Sequence, residues 1–252
     1  MKFAAAPPDN PGTLTKYFKS SEDFVYKIPD EVSHEEAVLA EPTAVAVHAV
    51  RLVDVRPGET VVVMGSGTIG LSCAAVAKVF GAEKIVLVDI LDEKLKFAKA
   101  HLGVETYKSD IKATPEENAA ALLKQLGLES AGVGTSLQEA GVDTVLECSG
   151  AASSIATGIH ILRPNGKFVQ TGLGRPKIEF PIMALSEKEL LVRGCFRYSS
   201  GDFELAVGFL RNKVIDVKGL ISSVLEFQDA TKAWDKTGRG EGIKNLIRGV
   251  RD

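Results

Sequence analysis

Cysteine is scarce in this chain, and its three residues, Cys73, Cys148 and Cys195, lie far apart with no Cys-x-x-Cys pair among them. The odd count and wide spacing exclude a disulfide framework and fit reduced, buried thiols. An excess of charge of either sign is also missing. Thirty Lys and Arg stand against 33 Asp and Glu, interspersed along the chain, for a net charge of −3. No electrostatic footprint for nucleic acid or an anionic membrane follows from that balance. No apolar run approaches the ~18 residues of a membrane span, and Met1-Lys2-Phe3-Ala4 lacks the apolar core of a signal peptide. These absences imply a soluble protein of the cytoplasm, with neither nucleic acid nor membrane as partner. The 252 residues can bury a large core, either one full α/β domain or one domain with part of another.

What is present centres on Val61 to Asp89. Val61-Val62-Val63-Met64 is β-branched and apolar without alternation, as in a strand covered on both faces of a parallel sheet. Gly65, Gly67 and Gly70 follow. The first permits a tight turn, the second lets a pyrophosphate approach the backbone, and the third lets the next helix pack on the sheet. That helix, Thr68 to about Phe80, would aim its unpaired N–H groups and positive dipole end at phosphates. A second apolar strand, Ile85 to Val88, ends at Asp89, near the ~20-residue offset at which an acid meets the adenosine ribose. A carboxylate there accepts from a ribose diol and repels a 2′-phosphate, so the pattern points to NAD rather than NADP.

Before this unit, Met1 to Lys27 reads as loop and short strand, Phe24 to Ile28 as a strand, and Ser33 with Glu36 as a capping box. Glu41-Pro42 interrupts the helix so opened, and Thr43 to about Val53 suits another. After Asp89 the chain alternates strand and helix, the pattern of a parallel sheet with right-handed crossovers. A helix runs from Asp92 to His101. Thr114-Pro115-Glu116-Glu117 is a capping box with proline at the first helical position, opening a helix to Gly127. Glu129 to Gly141 reads as a loop, Val142 to Glu147 as a strand, and Ser153 to Leu162 as a helix. Pro164-Asn165-Gly166 reads as a turn and Lys167 to Gln170 as a strand. Cys148-Ser149-Gly150 and Thr171-Gly172-Leu173-Gly174 end two of these strands, where loops of a doubly wound sheet line the ligand crevice. Leu190 to Phe196 reads as a strand, Asp202 to Arg211 as a helix, and Ile243 to Val250 as a last strand.

The glycine turn, Glu41-Pro42, Cys148-Ser149-Gly150, Thr171 to Gly174 and Gly194-Cys195-Phe196-Arg197-Tyr198, in this order, resemble the medium-chain dehydrogenase/reductase family. The similarity is greatest to its zinc-dependent polyol dehydrogenases of the sorbitol and xylitol type. It implies a doubly wound parallel (Rossmann) sheet with part of a GroES-like β-rich catalytic domain. Residues 1–42 and 186–252 would belong to the catalytic domain and 43–185 to the NAD-binding domain. It also implies that roughly a hundred family residues upstream have no counterpart here, as in an N-terminally truncated form. Apolar surface exposed by that loss would favour self-association.

The resemblance places Gly65, Gly67, Ile69, Gly70, Asp89 and Lys94 against the adenosine and phosphate side of NAD. It places Thr171, Gly172, Leu173, Phe196 and Arg197 toward the nicotinamide, and Glu41, Arg197 and Tyr198 around the substrate hydroxyls. In the family a zinc ion lowers the pKa of a secondary hydroxyl of the polyol while its hydride passes to NAD. Of the zinc's surroundings only Glu41 has a counterpart, since no cysteine precedes Cys73 and His34-Glu35 falls at an ordinary helix start. No metal ligands are therefore assigned. NAD-dependent polyol oxidation is the implied function, with an inactive NAD-binding remnant and a zinc-free reductase as alternatives. The strand from Leu190 to Cys195 resembles the one through which the family pairs subunits, which leaves a homo-oligomer open.

Overall fold

A computed structural model of the protein describes residues 5, 6, 8–129 and 140–250. Most of the loop expected from Glu129 to Gly141 lies outside the described residues. Those residues form two compact units, one of Met1–Ala37 with Asp216–Asp252 and one of Val38–Ile215.

In the smaller unit β1 (Ala5–Ala6) pairs antiparallel with β2 (Asn10–Pro11). The expected strand at Phe24 to Ile28 does not form. A 3-10 turn spans Glu22–Phe24, and Phe24 and Val25 stay 77% and 60% exposed. This apolar run has β propensity, but among the described residues it joins no sheet, and propensity alone does not hold a strand. The box at Ser33 does form. Glu36 N–H donates to Ser33 Oγ at 3.2 Å and Ser33 N–H donates to the Glu36 carboxylate at 3.0 Å, opening the single turn α1 (His34–Ala37).

The larger unit opens with α2 (Ala40–Leu52), which differs from the expected break at Glu41-Pro42. Pro42 sits in the first turn, where its missing N–H would have had no intrahelical acceptor, so the helix starts through it. The chain then alternates β3 (Thr60–Met64), α3 (Thr68–Val79), β4 (Lys84–Asp89), α4 (Asp92–Leu102), β5 (Glu105–Lys108) and α5 (Pro115–Leu126). It continues with β6 (Val142–Glu147), α6 (Ala152–Ile161), β7 (Leu162–Gln170), α7 (Ile182–Glu187), β8 (Leu191–Gly194) and α8 (Asp202–Arg211). The capping box of α5 is complete: Thr114 Oγ1 accepts from Glu117 N–H at 3.2 Å while the Glu117 carboxylate accepts from Thr114 N–H at 2.8 Å. Pro164-Asn165-Gly166 makes a bulge inside β7 instead of a free turn. Pairing with β6 jumps from Val142↔Leu162 to Thr144↔Lys167, and Asn165, at φ 57°, donates its N–H to the Lys188 carbonyl at 2.7 Å.

The six strands form one parallel sheet in the order β5-β4-β3-β6-β7-β8. Strand order therefore reverses between β3 and β6, and the crevice outside their carboxyl ends is where such sheets bind ligands. Register aligns those ends. Met64 lies opposite Val88 and Glu147, Glu147 opposite Gln170, and Gln170 opposite Gly194. Val62, Met64, Val86 and Val88 pack with Leu122 of α5 and Ile159 of α6 on one face. Val63 faces the other way, toward α3, which packs against α2, and α2 packs against α8. Lys188, after α7, donates to the His160 and Leu162 carbonyls at 2.6 and 2.8 Å and so closes the end of α6. No helix among the described residues is long and apolar enough to cross a membrane.

The smaller unit resumes with β9 (Ile221–Leu225), α9 (Ala230–Gly238) and β10 (Lys244–Ile247), with β9 and β10 parallel. The last strand is thus shorter than Ile243 to Val250.

Candidate active site and cofactor cradle

Three strand ends build the crevice. At the end of β3, Gly65 has φ +99°, a conformation L side chains rarely adopt, and its N–H donates to the Val88 carbonyl at 2.7 Å. A Cβ on Gly70 would stand 1.8 Å from the Gly65 carbonyl oxygen, so the turn and the first turn of α3 touch backbone to backbone. A Cβ on Gly67 would meet nothing within 4 Å. The space over Gly67 is open, at the N-terminus of a helix whose first N–H groups lack intrahelical acceptors. Ser66 Oγ is buried there without a hydrogen-bond partner among the described residues. An orphaned hydroxyl beside an open helix N-terminus fits an absent polar ligand.

Asp89 closes the same end of β4. Its carboxylate accepts from Ser66 N–H at 2.8 Å and from Leu91 N–H at 3.0 Å, which pins it against the glycine turn and leaves lone pairs for further donors. Ile69 and Lys94 are half-buried in the first turns of α3 and α4. Turn, helix end, orphaned hydroxyl and pinned carboxylate together fit the pyrophosphate and adenosine ribose of NAD.

The second and third strand ends interlock. Glu147, the last residue of β6, is fully buried. Its carboxylate accepts from Ser149 N–H at 2.9 Å, from Gly150 N–H at 3.1 and 3.0 Å, from Gln170 Nε2 at 2.7 Å and from Ser149 Oγ. Its carbonyl accepts from Thr171 N–H at 2.8 Å and Gly172 N–H at 2.9 Å. A Cβ on Gly172 would lie 2.3 Å from Gly150 N, and one on Gly174 would lie 1.9 Å from Gly150 O. The loops after β6 and β7 therefore close on one another. Leu173, 81% exposed, stands out from the joined loops, and Phe196, 63% exposed, from the end of β8. Large apolar side chains left open there suit a ring-bearing ligand.

Arg197 follows β8 with φ +64°, unusual for a residue with a side chain and frequent at functional sites. Its Nη1 lies 3.7 Å from Glu41 Oε1, so two of the predicted substrate-side residues come together. The third, Tyr198, is half-buried with its ring edge-to-face on Phe203, centroids 5.4 Å apart. The loop is fastened by Asp202, only 1% exposed. Its carboxylate accepts from Ser199 N–H at 2.8 Å and Arg51 Nη1 at 2.7 Å, and lies 2.8 Å from His48 Nδ1.

Glu147 and Asp202 were missed by sequence reasoning. Glu147 closes an otherwise apolar strand and Asp202 opens a helix, and the partners that give each its role lie far off in sequence.

The thiols behave as expected of buried ones. Cys73 and Cys195 are buried and Cys148 is partly so by area, and all three are free. The neighbouring Cys73 thiol and burial push the Cys148 thiol well up. Burial pushes the Cys195 thiol up to about 11. The folded chain keeps a proton on Cys195 that the unfolded chain releases above about pH 8.5. That contribution to stability is complete below this pH and fades as pH rises toward 11. Between those limits urea unfolding should lose roughly 3 kcal/mol from this group. Cys195→Ala should make that slope shallower, with the raised Cys148 thiol supplying part of what remains, and an unchanged slope would contradict the assignment.

A catalytic zinc site needs about three converging protein ligands. Among the described residues no group of three His, Cys, Asp or Glu side chains converges in that way. Glu41 faces a guanidinium, and Glu35 of the His34-Glu35 pair binds Arg248 at 3.3 Å. The described residues therefore do not fit a zinc ion.

Comparison with known proteins agrees with this architecture. The zinc-binding dehydrogenase family model matches residues 68–212. A probable D-xylulose reductase A of Aspergillus fumigatus is 48% identical over 252 residues, all of this chain and 67% of that protein. D-xylulose reductase A of Aspergillus niger is 45% identical over 250 residues, 99% of this chain and 66% of that protein. Among solved structures, an Escherichia coli oxidoreductase/dehydrogenase of unknown specificity involved in membrane biogenesis superposes with a TM-score of 0.84 at 25% identity. It covers 98% of this chain and 67% of its own. The chain thus spans about two thirds of the length of these relatives. With its parallel sheet, glycine turn and matched sequence, the chain belongs to the zinc-binding dehydrogenases of the medium-chain dehydrogenase/reductase family.

Proposed function

We propose that this chain carries the NAD-binding and substrate-orienting part of a polyol dehydrogenase that interconverts xylitol and D-xylulose. The observation that carries the reading is 48% identity to a probable D-xylulose reductase A across the whole chain. Bound NAD would supply a nicotinamide ring that takes hydride from a secondary carbinol carbon. Gly65, Gly67, Ile69 and Gly70 would hold the pyrophosphate, and Asp89 and Lys94 the adenosine end. Thr171, Gly172, Leu173 and Phe196 would shape the ring's pocket. Arg197 donates and Glu41 accepts hydrogen bonds, a pairing suited to orienting vicinal hydroxyls, with Tyr198 supporting that wall. In this reading 43–185 is the cofactor domain, and 1–42 with 186–252 belong to a GroES-like catalytic domain. The exposed edge of β8, where Leu191 and Val192 are 43% and 37% exposed, would pair with a second copy.

A second reading, NAD binding without turnover, is favoured by the poor fit of the described residues to zinc. NADH absorbance with the purified chain, NAD and xylitol, with and without added zinc, separates the two. Xylitol-dependent NADH formation that exceeds the rate with a simple monohydric alcohol supports the dehydrogenase. NAD binding with no turnover under either condition supports the second reading, and turnover with the simple alcohol alone overturns the polyol assignment.

A further inference from the structure

Among the described residues Glu147 has no counter-charge. It is fully buried at the carboxyl end of β6, next to the point where strand order reverses. Each side chain or backbone group bonded to its carboxylate is a neutral donor: Ser149 N–H and Oγ, Gly150 N–H and Gln170 Nε2. Ser149 Oγ also accepts from Ala151 N–H at 3.1 Å, so its own proton is free to point at Glu147. Among the described residues no Lys, Arg or His forms an ion pair with this carboxylate. Both carboxylate oxygens accept, so the clamp uses an acceptor-only group, and the charge that comes with it stays unpaired by any cation among the described residues. An unpaired charge in a buried setting is retained at a cost unless something else uses its field.

We propose that Glu147 sets the redox preference of the cofactor pocket, its fixed negative charge favouring the cationic nicotinamide of NAD⁺ over the neutral dihydronicotinamide of NADH. The inference rests on the cofactor reading above, with the ring over the joined loops of Thr171–Leu173 and Cys148–Gly150. The two cofactor forms share the adenosine, riboses and pyrophosphate, so interactions there cancel in the ratio of their affinities. A charge beneath the ring does not cancel. Because it is buried, solvent ions screen it little.

The test is calorimetric titration of the whole chain, Glu147→Gln and Gln170→Lys with NAD⁺, NADH and ADP-ribose, which lacks the nicotinamide. Glu147→Gln removes the charge at nearly constant shape. Gln170→Lys keeps Glu147 and places an ammonium where Nε2 now stands 2.7 Å from it. Both variants are expected to move the NAD⁺:NADH affinity ratio toward NADH by about tenfold, the order of a single charge acting through protein of effective dielectric about 20. ADP-ribose affinity should change little. A purely structural role would weaken all three ligands together and leave the ratio unmoved, and that result overturns the inference while the cofactor reading stands. If Glu147→Gln does not fold, Gln170→Lys decides the matter by the same ratio. Failure of the unaltered chain to bind any of the three ligands would overturn the cofactor reading, and this inference with it.

Discussion

Gly70→Ala is expected to cost several kcal/mol of stability and to abolish NAD binding, whereas Gly67→Ala should leave stability nearly unchanged and still weaken NAD. The added atoms are identical and three residues apart, so the contrast isolates what each glycine does. At Gly70 the new Cβ would lie 1.8 Å from the Gly65 carbonyl oxygen. Both sides of that contact are backbone, in a turn and in a helix, and neither can swing aside as a side chain would. Relief requires α3 to move away from the turn, disturbing the buried contacts of Leu71 and Cys73 as well. Overpacking of this kind costs about 1–3 kcal/mol when side chains absorb it and more when backbone must. At Gly67 the backbone is extended, at φ −80° and ψ −173°, which alanine adopts readily, and the Cβ meets nothing within 4 Å. The methyl would occupy only the open space assigned to the pyrophosphate. Urea unfolding with and without NAD measures both effects, and equal behaviour of the two variants would contradict the cradle.

Asp202→Ala should be the most damaging change away from the glycine turn, at roughly 2–4 kcal/mol. The carboxylate is 1% exposed and satisfies three groups: Arg51 on α2, His48 on α2 and the Ser199 N–H. Removing it leaves the guanidinium and the imidazole facing an apolar gap beside α8. Arg51 is about half exposed and recovers part of its hydration, which keeps the estimate below that for a fully buried pair. Arg51→Ala should cost less than Asp202→Ala, because His48 and Ser199 still satisfy the acid. The loss should reach the substrate side, since Ser199 follows directly on Arg197 and Tyr198, and Tyr198 packs on Phe203, the neighbour of Asp202. Denaturant midpoints of the two variants decide the order, and a cost below about 0.5 kcal/mol for Asp202→Ala would contradict the account.

Where a feature depends on neighbours in sequence, it was legible in the chain alone. Gly65, Gly67 and Gly70 between two apolar strands, and Thr114-Pro115-Glu117 at the head of α5, carry their whole reason within a few residues. Pro42 misled because proline ends a helix in its interior but is tolerated in its first turn, and only the start at Ala40 tells the two apart. Phe24 to Ile28 misled because β propensity needs a partner strand. Glu147 and Asp202 were illegible for a different reason. Gln170 lies 23 residues from Glu147, and Arg51 lies 151 from Asp202, so their meaning exists only once β6 meets β7 and α2 meets α8. Glu41 with Arg197, by contrast, was named from resemblance, and the fold sets the two side by side.

The most direct measurement of the central claim is thermal unfolding of the 252-residue chain across a titration of NAD, with NADP as the comparison. A saturable rise with NAD is expected, worth about 2.7 kcal/mol at a hundredfold excess over Kd. NADP should give a much weaker response, since its 2′-phosphate would meet the carboxylate that Ser66 and Leu91 pin at the end of β4. An unchanged unfolding curve with NAD, or equal shifts with both dinucleotides, would contradict that claim.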